Sequence, residues 1–223
     1  MRYEQTLSRV EMYFDKTATK TWERLTSDAP VSRIRQTVRA GRDEMRMKLL
    51  AQLPQDLTGA RIMDAGCGPG QLTQELALRG ADVVAIDISP SLIDIARKRI
   101  PVELHDHIEF RSGDMCDPSL GSFDHVIAMD SMIYYECDDL ATVLRGLSRR
   151  TQGQISFTVA PKTPLLTAMW YAGKLAPKGD KSPTMVPQSY RALRRALGDD
   201  AQLVDLGRVT SGFYISHAMG CHR

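Results

Sequence analysis

The spacing of apolar positions changes along the chain, and each change predicts a different kind of element. Tyr3, Leu7, Val10 and Phe14 recur at helical spacing. After Pro30 a second amphipathic stretch carries Ile34, Val38, Met45 and Leu49 on one side, so the first fifty residues read as helix. From residue 60, short apolar runs alternate with helical ones, the signature of a parallel sheet with crossover helices. Arg61 to Asp64 is predicted as strand one, Gln71 to Arg79 as the first crossover helix, and Asp82 to Asp87 as a strand too apolar to have a wet face. Ser89 as N-cap and Pro90 at the first helical position start the next helix, with Leu92, Ile95 and Ala96 as its buried stripe. Ile108 to Phe110 and Phe123 to Met129 are strands three and four, a helix runs through Leu140, Val143, Leu144 and Leu147, and Gln154 to Val159 is strand five.

Between Ala160 and Gln188 the rhythm breaks, with prolines at 161, 164, 177, 183 and 187, and the segment reads as an insertion or lid. A helix from Ser189 to Leu197 follows. Two strands, Gln202 to Val209 and Gly212 to Ala218, stand close enough for a hairpin. The expectation is an α/β fold with a mostly parallel seven-stranded sheet that ends in an antiparallel hairpin. Residues 1–55 would form an N-terminal helical arm or lid, and residues 56–223 a core carrying the 160–188 insertion.

Composition narrows the class. At 223 residues the chain has the size of one domain, and 43% apolar with 25% charged residues excludes disorder, collagen and coiled coil. No apolar run approaches the roughly 18 residues that cross a bilayer, and Met1-Arg2-Tyr3-Glu4-Gln5 lacks the apolar stretch of a signal peptide, which predicts a cytoplasmic protein. Cys67, Cys116, Cys137 and Cys221 form no Cys-x-x-Cys pair and read as reduced thiols; the five histidines form no His-Glu-x-x-His pair, so no protein-bound metal is expected. A net charge of +2 provides no broad phosphate-binding field, which demotes nucleic acid as a partner.

The segment richest in chemistry is Asp64-Ala65-Gly66-Cys67-Gly68-Pro69-Gly70, between a strand and a helix. Glycines let backbone turn sharply and approach a ligand, and a helix start favours an anion. A dinucleotide fold would have Gly-x-Gly-x-x-Gly, whereas the spacing here is Gly-x-Gly-x-Gly. An acid two residues before the first glycine sits badly beside a pyrophosphate and suits a ligand bearing an ammonium group. Taken alone, such a loop could be only a tight turn; Asp87 at the end of strand two and Gly113-Asp114 after strand three argue otherwise. Cys67 within it reads as a small apolar spacer rather than a nucleophile.

This combination resembles the first motif of the class I S-adenosylmethionine-dependent methyltransferases, whose fold is Rossmann-like. The resemblance implies that Asp64 contacts the methionine end of S-adenosylmethionine through its amino group, and that Gly66, Gly68 and Gly70 leave room for the adenosyl moiety. It implies that Asp87 accepts from the ribose hydroxyls with Ile88 beside it, and that Asp114 and Met115 form the adenine pocket. Met129 and Asp130 fall where the methyl group faces the substrate.

The arm is similar to that of the magnesium-protoporphyrin IX methyltransferases of chlorophyll and bacteriochlorophyll synthesis. The similarity runs through Val10-Glu11-Met12-Tyr13-Phe14-Asp15 and on to Leu25, Ser32 to Arg42, Ala128-Met129-Asp130-Ser131-Met132-Ile133-Tyr134-Tyr135, and Thr158 to Pro164. It implies esterification of one porphyrin propionate, the magnesium belonging to the substrate. A propionate with a pKa near about 4.3 is ionised at pH 7 and is already a nucleophile, so no general base is required. Tyr13 is the implied lid residue that orients the substrate, against the plainer reading that it packs beside Phe14. Related enzymes carry histidine in a Leu-Ile-His-Tyr-like sequence, where this chain has Tyr134; a tyrosine can donate to a carboxylate but is no cation near neutral pH.

The insertion and the helix after it carry Lys162, Lys174, Lys178, Lys181, Arg191, Arg194 and Arg195, interleaved with Leu165, Leu166, Met169, Trp170, Tyr171 and Leu175. Such a patch could face a macrocycle and its propionates, touch an anionic membrane surface peripherally, or be a solvated face. Channelling with other enzymes of the pathway is an expected partnership. The rival readings are methylation of another apolar acceptor, a quinone precursor or small carboxylic acid, and a non-catalytic S-adenosylmethionine-binding regulator.

Overall fold

Apolar strands bounded by short turns leave the chain one way to cover both their faces, and helices before, between and after the strands do so. The structure, a computed structural model, describes residues 2–15, 32–164, 166–168, 171 and 184–223. These form helices α1 (Arg2–Tyr13), α2 (Arg33–Leu50), α3 (Gln71–Leu78), α4 (Pro90–Arg99), α5 (Cys137–Ser148) and α6 (Tyr190–Leu197). The strands are β1 (Arg61–Ala65), β2 (Asp82–Asp87), β3 (Ile108–Ser112), β4 (His125–Ala128), β5 (Ile155–Val159), β6 (Gln202–Ser211) and β7 (Tyr214–His222).

The sheet order is β3-β2-β1-β4-β5-β7-β6. β1 to β5 pair in parallel, and β7 runs antiparallel between β5 and β6. Successive side chains alternate between two buried layers. Ile62, Val83, Ala85 and Ile127 join Met45 and Leu49 of α2, Leu72 and Leu76 of α3 and Ile93 of α4. Met63, Val84, Ile86 and Phe157 join Leu140, Leu144 and Leu147 of α5 and Leu193 and Leu197 of α6. Chain direction diverges where β1 meets β4, and a crevice opens at the carboxyl ends of the strands.

The local signals act as the sequence implies. Ser89 caps α4, its side chain accepting from Leu92 N with Pro90 at the first position, and Ser32 caps α2 by accepting from Arg35 N. β4 is shorter than the predicted 123–129. Phe123 makes only an isolated bridge with Thr151, and Met129 leaves the ladder because Asp130 turns the chain with a φ of 56°. Helix α2 packs on β6 and β7 and buries Met45, Leu49 and Leu50. The 160–188 segment is pinned at its base, where Gln188 N donates to Ala160 O and Lys162 N to Gln188 O. Residues 16–31 of the arm, and Leu165, Met169, Trp170, Lys174, Leu175, Lys178 and Lys181 of the basic apolar patch, lie outside the described residues.

Candidate functional site

The loop from β1 into α3 is fastened to β2, with Gly66 N and Cys67 N both donating to Ile86 O at 2.7 and 3.0 Å. Gly66 has a φ of +81°, and a Cβ there would lie 2.2 Å from Ser131 Cβ. Ser131 Oγ in turn donates to Ala65 O at 2.6 Å, so the loop and the end of β4 lock together. Gly70 has a φ of +83° and precedes α3; a Cβ there would meet Ile100 Cδ1 at 2.8 Å. Gly66 and Gly68 line the large cavity above the sheet, whereas Gly70 serves the turn and packs behind it.

The two acids of this region are deeply buried. Asp64, 1% exposed, accepts from Thr73 Oγ1 at 2.6 Å. Burial pushes its carboxyl up to about 7, against the Thr73 hydrogen bond and with a smaller contribution from Asp87. Asp87 accepts from Gly68 N and Ser89 N, both at 2.9 Å; burial pushes it up to about 6 despite those donors. Ile88, Met115 and Met129 line the same cavity. Asp114 stands just outside this lining: its Oδ1 accepts from Tyr3 OH at 2.6 Å and from Cys116 N at 2.8 Å.

Helix α1 and the residues just after it roof this cavity with Leu7, Val10 and Phe14. Two contacts hold it down. Tyr3 stacks on Tyr135 with ring centroids 5.2 Å apart, and Asp15 Oδ1 accepts from Ser91 Oγ at 2.5 Å and Ser89 Oγ at 3.2 Å. The enclosed space, counted to its open mouth, is about 970 Å³.

A second cavity of about 870 Å³ adjoins the first, with Tyr13, Val38, Ile133, Leu166, Met185 and Phe213 among its walls. Tyr13 makes an edge contact with Phe14 at 5.2 Å, and Phe14 another with Tyr134 at 6.1 Å, so neighbouring residues of the arm face different cavities. Among the described residues, Arg42, Asp130 and Tyr134 line both spaces and form the neck between them. Burial holds the Tyr134 phenol well above its ordinary range, with Asp130 adding to the effect, so it stays a hydrogen-bond donor.

Arg42 and Arg46, which flank the buried stripe of α2 one turn apart, Tyr3 of α1 and Asp15 just beyond it are site residues additional to those expected from the sequence. Two arginines spaced four apart beside an apolar stripe were a readable signal for the first pair. Ser131, Thr158 and Tyr214 become visible only once β4, β5 and β7 are side by side.

The residues around the first cavity fit S-adenosylmethionine. Two buried carboxylates, destabilised by desolvation, call for an ammonium group and for hydroxyl donors, and at Gly68 a Cβ would meet nothing within 4 Å. Sheet order, loop and acids together define a class I S-adenosylmethionine-dependent methyltransferase. Residues 62–153 match the methyltransferase domain family, and residues 128–223 match the magnesium-protoporphyrin IX methyltransferase C-terminus family. The chain is 56% identical over 218 residues to the magnesium-protoporphyrin O-methyltransferase of Rhodobacter capsulatus, covering 97% of this chain and 96% of the relative. It is 28% identical over 215 residues to that of Synechocystis sp., covering 94% and 93%. The crystal structure of magnesium protoporphyrin IX methyltransferase from Synechocystis PCC 6803 with bound SAH superposes with a TM-score of 0.80 at 27% identity, covering 97% of this chain and 99% of that one. The chain belongs to the magnesium-protoporphyrin O-methyltransferase family.

Proposed function

We propose that this protein methylates a propionate carboxylate of magnesium protoporphyrin IX with S-adenosylmethionine, giving the monomethyl ester. The observation that carries the reading is the pair of cavities joined at one polar neck: an acid-lined space under the arm opens onto a wide space with apolar walls. The family membership supports the same acceptor.

S-adenosylmethionine bound in the first cavity supplies an electrophilic methyl group. Asp64 receives the ammonium of its methionine end and Asp87 its ribose hydroxyls, while Gly66 and Gly68 keep the loop thin. Ile88, Met115 and Met129 close round the adenosyl part, with Asp114 accepting from the adenine amine through the oxygen not engaged by Tyr3 and Cys116 N. Leu7, Val10 and Phe14 exclude water, which matters because positioning and desolvation carry a reaction whose nucleophile is ionised from the start. Tyr134 donates to the acceptor carboxylate at the neck, and Tyr13 holds the macrocycle from the arm side.

In this reading α1 and the 160–188 segment are lids on a core of residues 56–223. The exposed Phe213 and Met185 at the mouth of the second cavity receive the macrocycle from a membrane surface or from a neighbouring enzyme of the pathway. None of the described helices is long and apolar enough to cross a membrane.

The test is incubation with methyl-labelled S-adenosylmethionine and magnesium protoporphyrin IX, followed by analysis for label in a base-labile porphyrin ester. Label in that ester is the expected result. Tight cofactor binding with no labelled ester would overturn the choice of acceptor and leave the methyltransferase fold standing.

A further inference from the structure

Among the described residues, an ion pair stands at the neck between the cavities. Arg42 Nη1 donates to Asp130 Oδ2, with the two side chains 15% and 9% exposed. Asp130 is the one non-glycine residue with positive φ among the described residues, at 56°. That conformation persists only where surrounding contacts over-determine it. Asp130 N donates to Thr158 Oγ1 at 2.7 Å, while Asp130 Oδ1 accepts from Thr158 Oγ1 at 3.1 Å, Tyr214 OH at 3.1 Å and Ser216 Oγ at 3.4 Å. Two strands, β5 and β7, therefore fix a carboxylate just beyond β4 that also accepts from a guanidinium lining both cavities.

Among the described residues lining the acceptor cavity, Arg42 is the only lysine, arginine or histidine. An anion entering an apolar space must be paired and hydrogen-bonded there, and Tyr134 beside the neck supplies no positive charge. A guanidinium has five donors in a rigid fork matched to a carboxylate. We propose that Arg42 receives the acceptor's carboxylate at the neck, and that Asp130, locked in the left-handed conformation, is the positioning residue that aims the fork. This rests on the function proposed above and names the group that selects a carboxylate acceptor. An uncompensated cation would grip the carboxylate and quench its nucleophilicity. An arginine already sharing its charge with Asp130 orients the anion and leaves it reactive.

The experiment compares magnesium protoporphyrin IX with its dimethyl ester, which keeps the macrocycle and lacks both carboxylates, as ligands of the SAH-loaded protein in absorbance titrations. The natural chain is expected to bind the diacid about 10-fold or more tighter than the dimethyl ester. Arg42→Gln should weaken the diacid by about 10- to 100-fold and change the dimethyl ester by less than about 2-fold, and Arg42→Lys should recover part of the loss. Asp130→Asn, with a residue that tolerates positive φ, should shrink the diacid preference and lower kcat without changing SAH affinity, a pattern that a purely structural role would not produce. Equal affinity of the natural chain for the two ligands, or equal losses for both in the Arg42 variants, would overturn the inference. The ligand ratio of the natural chain and Arg42→Lys decide the matter even if Arg42→Gln does not fold. Absence of labelled ester from the natural chain would overturn the proposed function and this inference with it. Ester formation with equal losses for both ligands would overturn the clamp alone.

Discussion

Replacing Asp64 with asparagine is expected to strengthen the ligand-free fold while removing its cofactor site. The carboxyl has an ordinary value of 3.8 and is pushed up to about 7 by burial in the folded chain. At about 1.4 kcal/mol for each tenfold change in proton affinity, that interval is a penalty of about 4 kcal/mol on the ionised form. Below the unfolded value the group is protonated in both states and costs nothing. As pH rises the unfolded state loses its proton first, and stability falls until the folded group ionises as well near about 7. Between pH 5 and pH 8 the natural chain should lose about 2.5 kcal/mol from this residue. Asparagine has no charge to desolvate, and its carbonyl can still accept from Thr73. Urea denaturation of both proteins without ligand should therefore show the Asp64→Asn advantage growing by about 2.5 kcal/mol from pH 5 to pH 8. Calorimetry with SAH at pH 8 should show binding lost. A difference that stays constant with pH, or a variant less stable at pH 8, would refute the reasoning, because it would mean that Asp64 is solvated through the cavity.

Three further substitutions test other parts of the site. Gly66→Ala should lower Tm and abolish SAH binding, since its Cβ falls 2.2 Å from Ser131 Cβ at a φ costing about 1–3 kcal/mol; Ser131→Gly added to it should restore only part of Tm, the dihedral strain remaining. Tyr3→Phe removes the 2.6 Å hydrogen bond to Asp114 and should raise the KM for S-adenosylmethionine about 5-fold with kcat nearly unchanged; an unaltered KM would detach the arm's first turn from cofactor binding. Tyr134→Phe should lower kcat about 10-fold at constant cofactor affinity. Because burial holds the Tyr134 phenol above its ordinary range, pH-rate profiles of the natural chain should show no loss from this group up to pH 9, and a fall with a midpoint below that would refute its role as a neutral donor.

Much of the cofactor half was legible because its signals are local. The apolar run of β2 is bounded by Asp82 and Asp87, and Ser89-Pro90 sets the start of α4, so strand, acid and helix could be placed within a residue. The family resemblance puts Gly66, Gly68 and Gly70 together at the cofactor; Gly66 and Gly68 line the cavity, whereas what Gly70 faces, Ile100, lies 30 residues on, so its packing role is not readable from the motif. Apolar pattern carries β4 on to Met129, whereas the strand ends at Ala128 because Asp130, whose φ is set by contacts with β5 and β7, turns the chain. The neck was the least legible part. The spacing of Arg42 and Arg46 places them on one face of α2, but a position at the neck follows only once α2 docks on the closing hairpin, and Tyr3 meets Asp114 across 111 residues of chain.

The three-residue neck also divides the molecule by what can change. The cofactor cup is built from the turns after β1, β2 and β3 with α1 as its roof, while the second cavity's walls come chiefly from α2, the β6–β7 hairpin and the segments after β4 and β5, with Tyr13 at the end of α1. The halves touch chiefly at Arg42, Asp130 and Tyr134, so remodelling Val38, Ile133, Phe213 or Ile215 alters the shape offered to an acceptor without disturbing the cup. Acceptor range in this scaffold is therefore an exchangeable property, and a library confined to those four wall positions can be screened for new carboxylic acids with the methyl-donor machinery left intact.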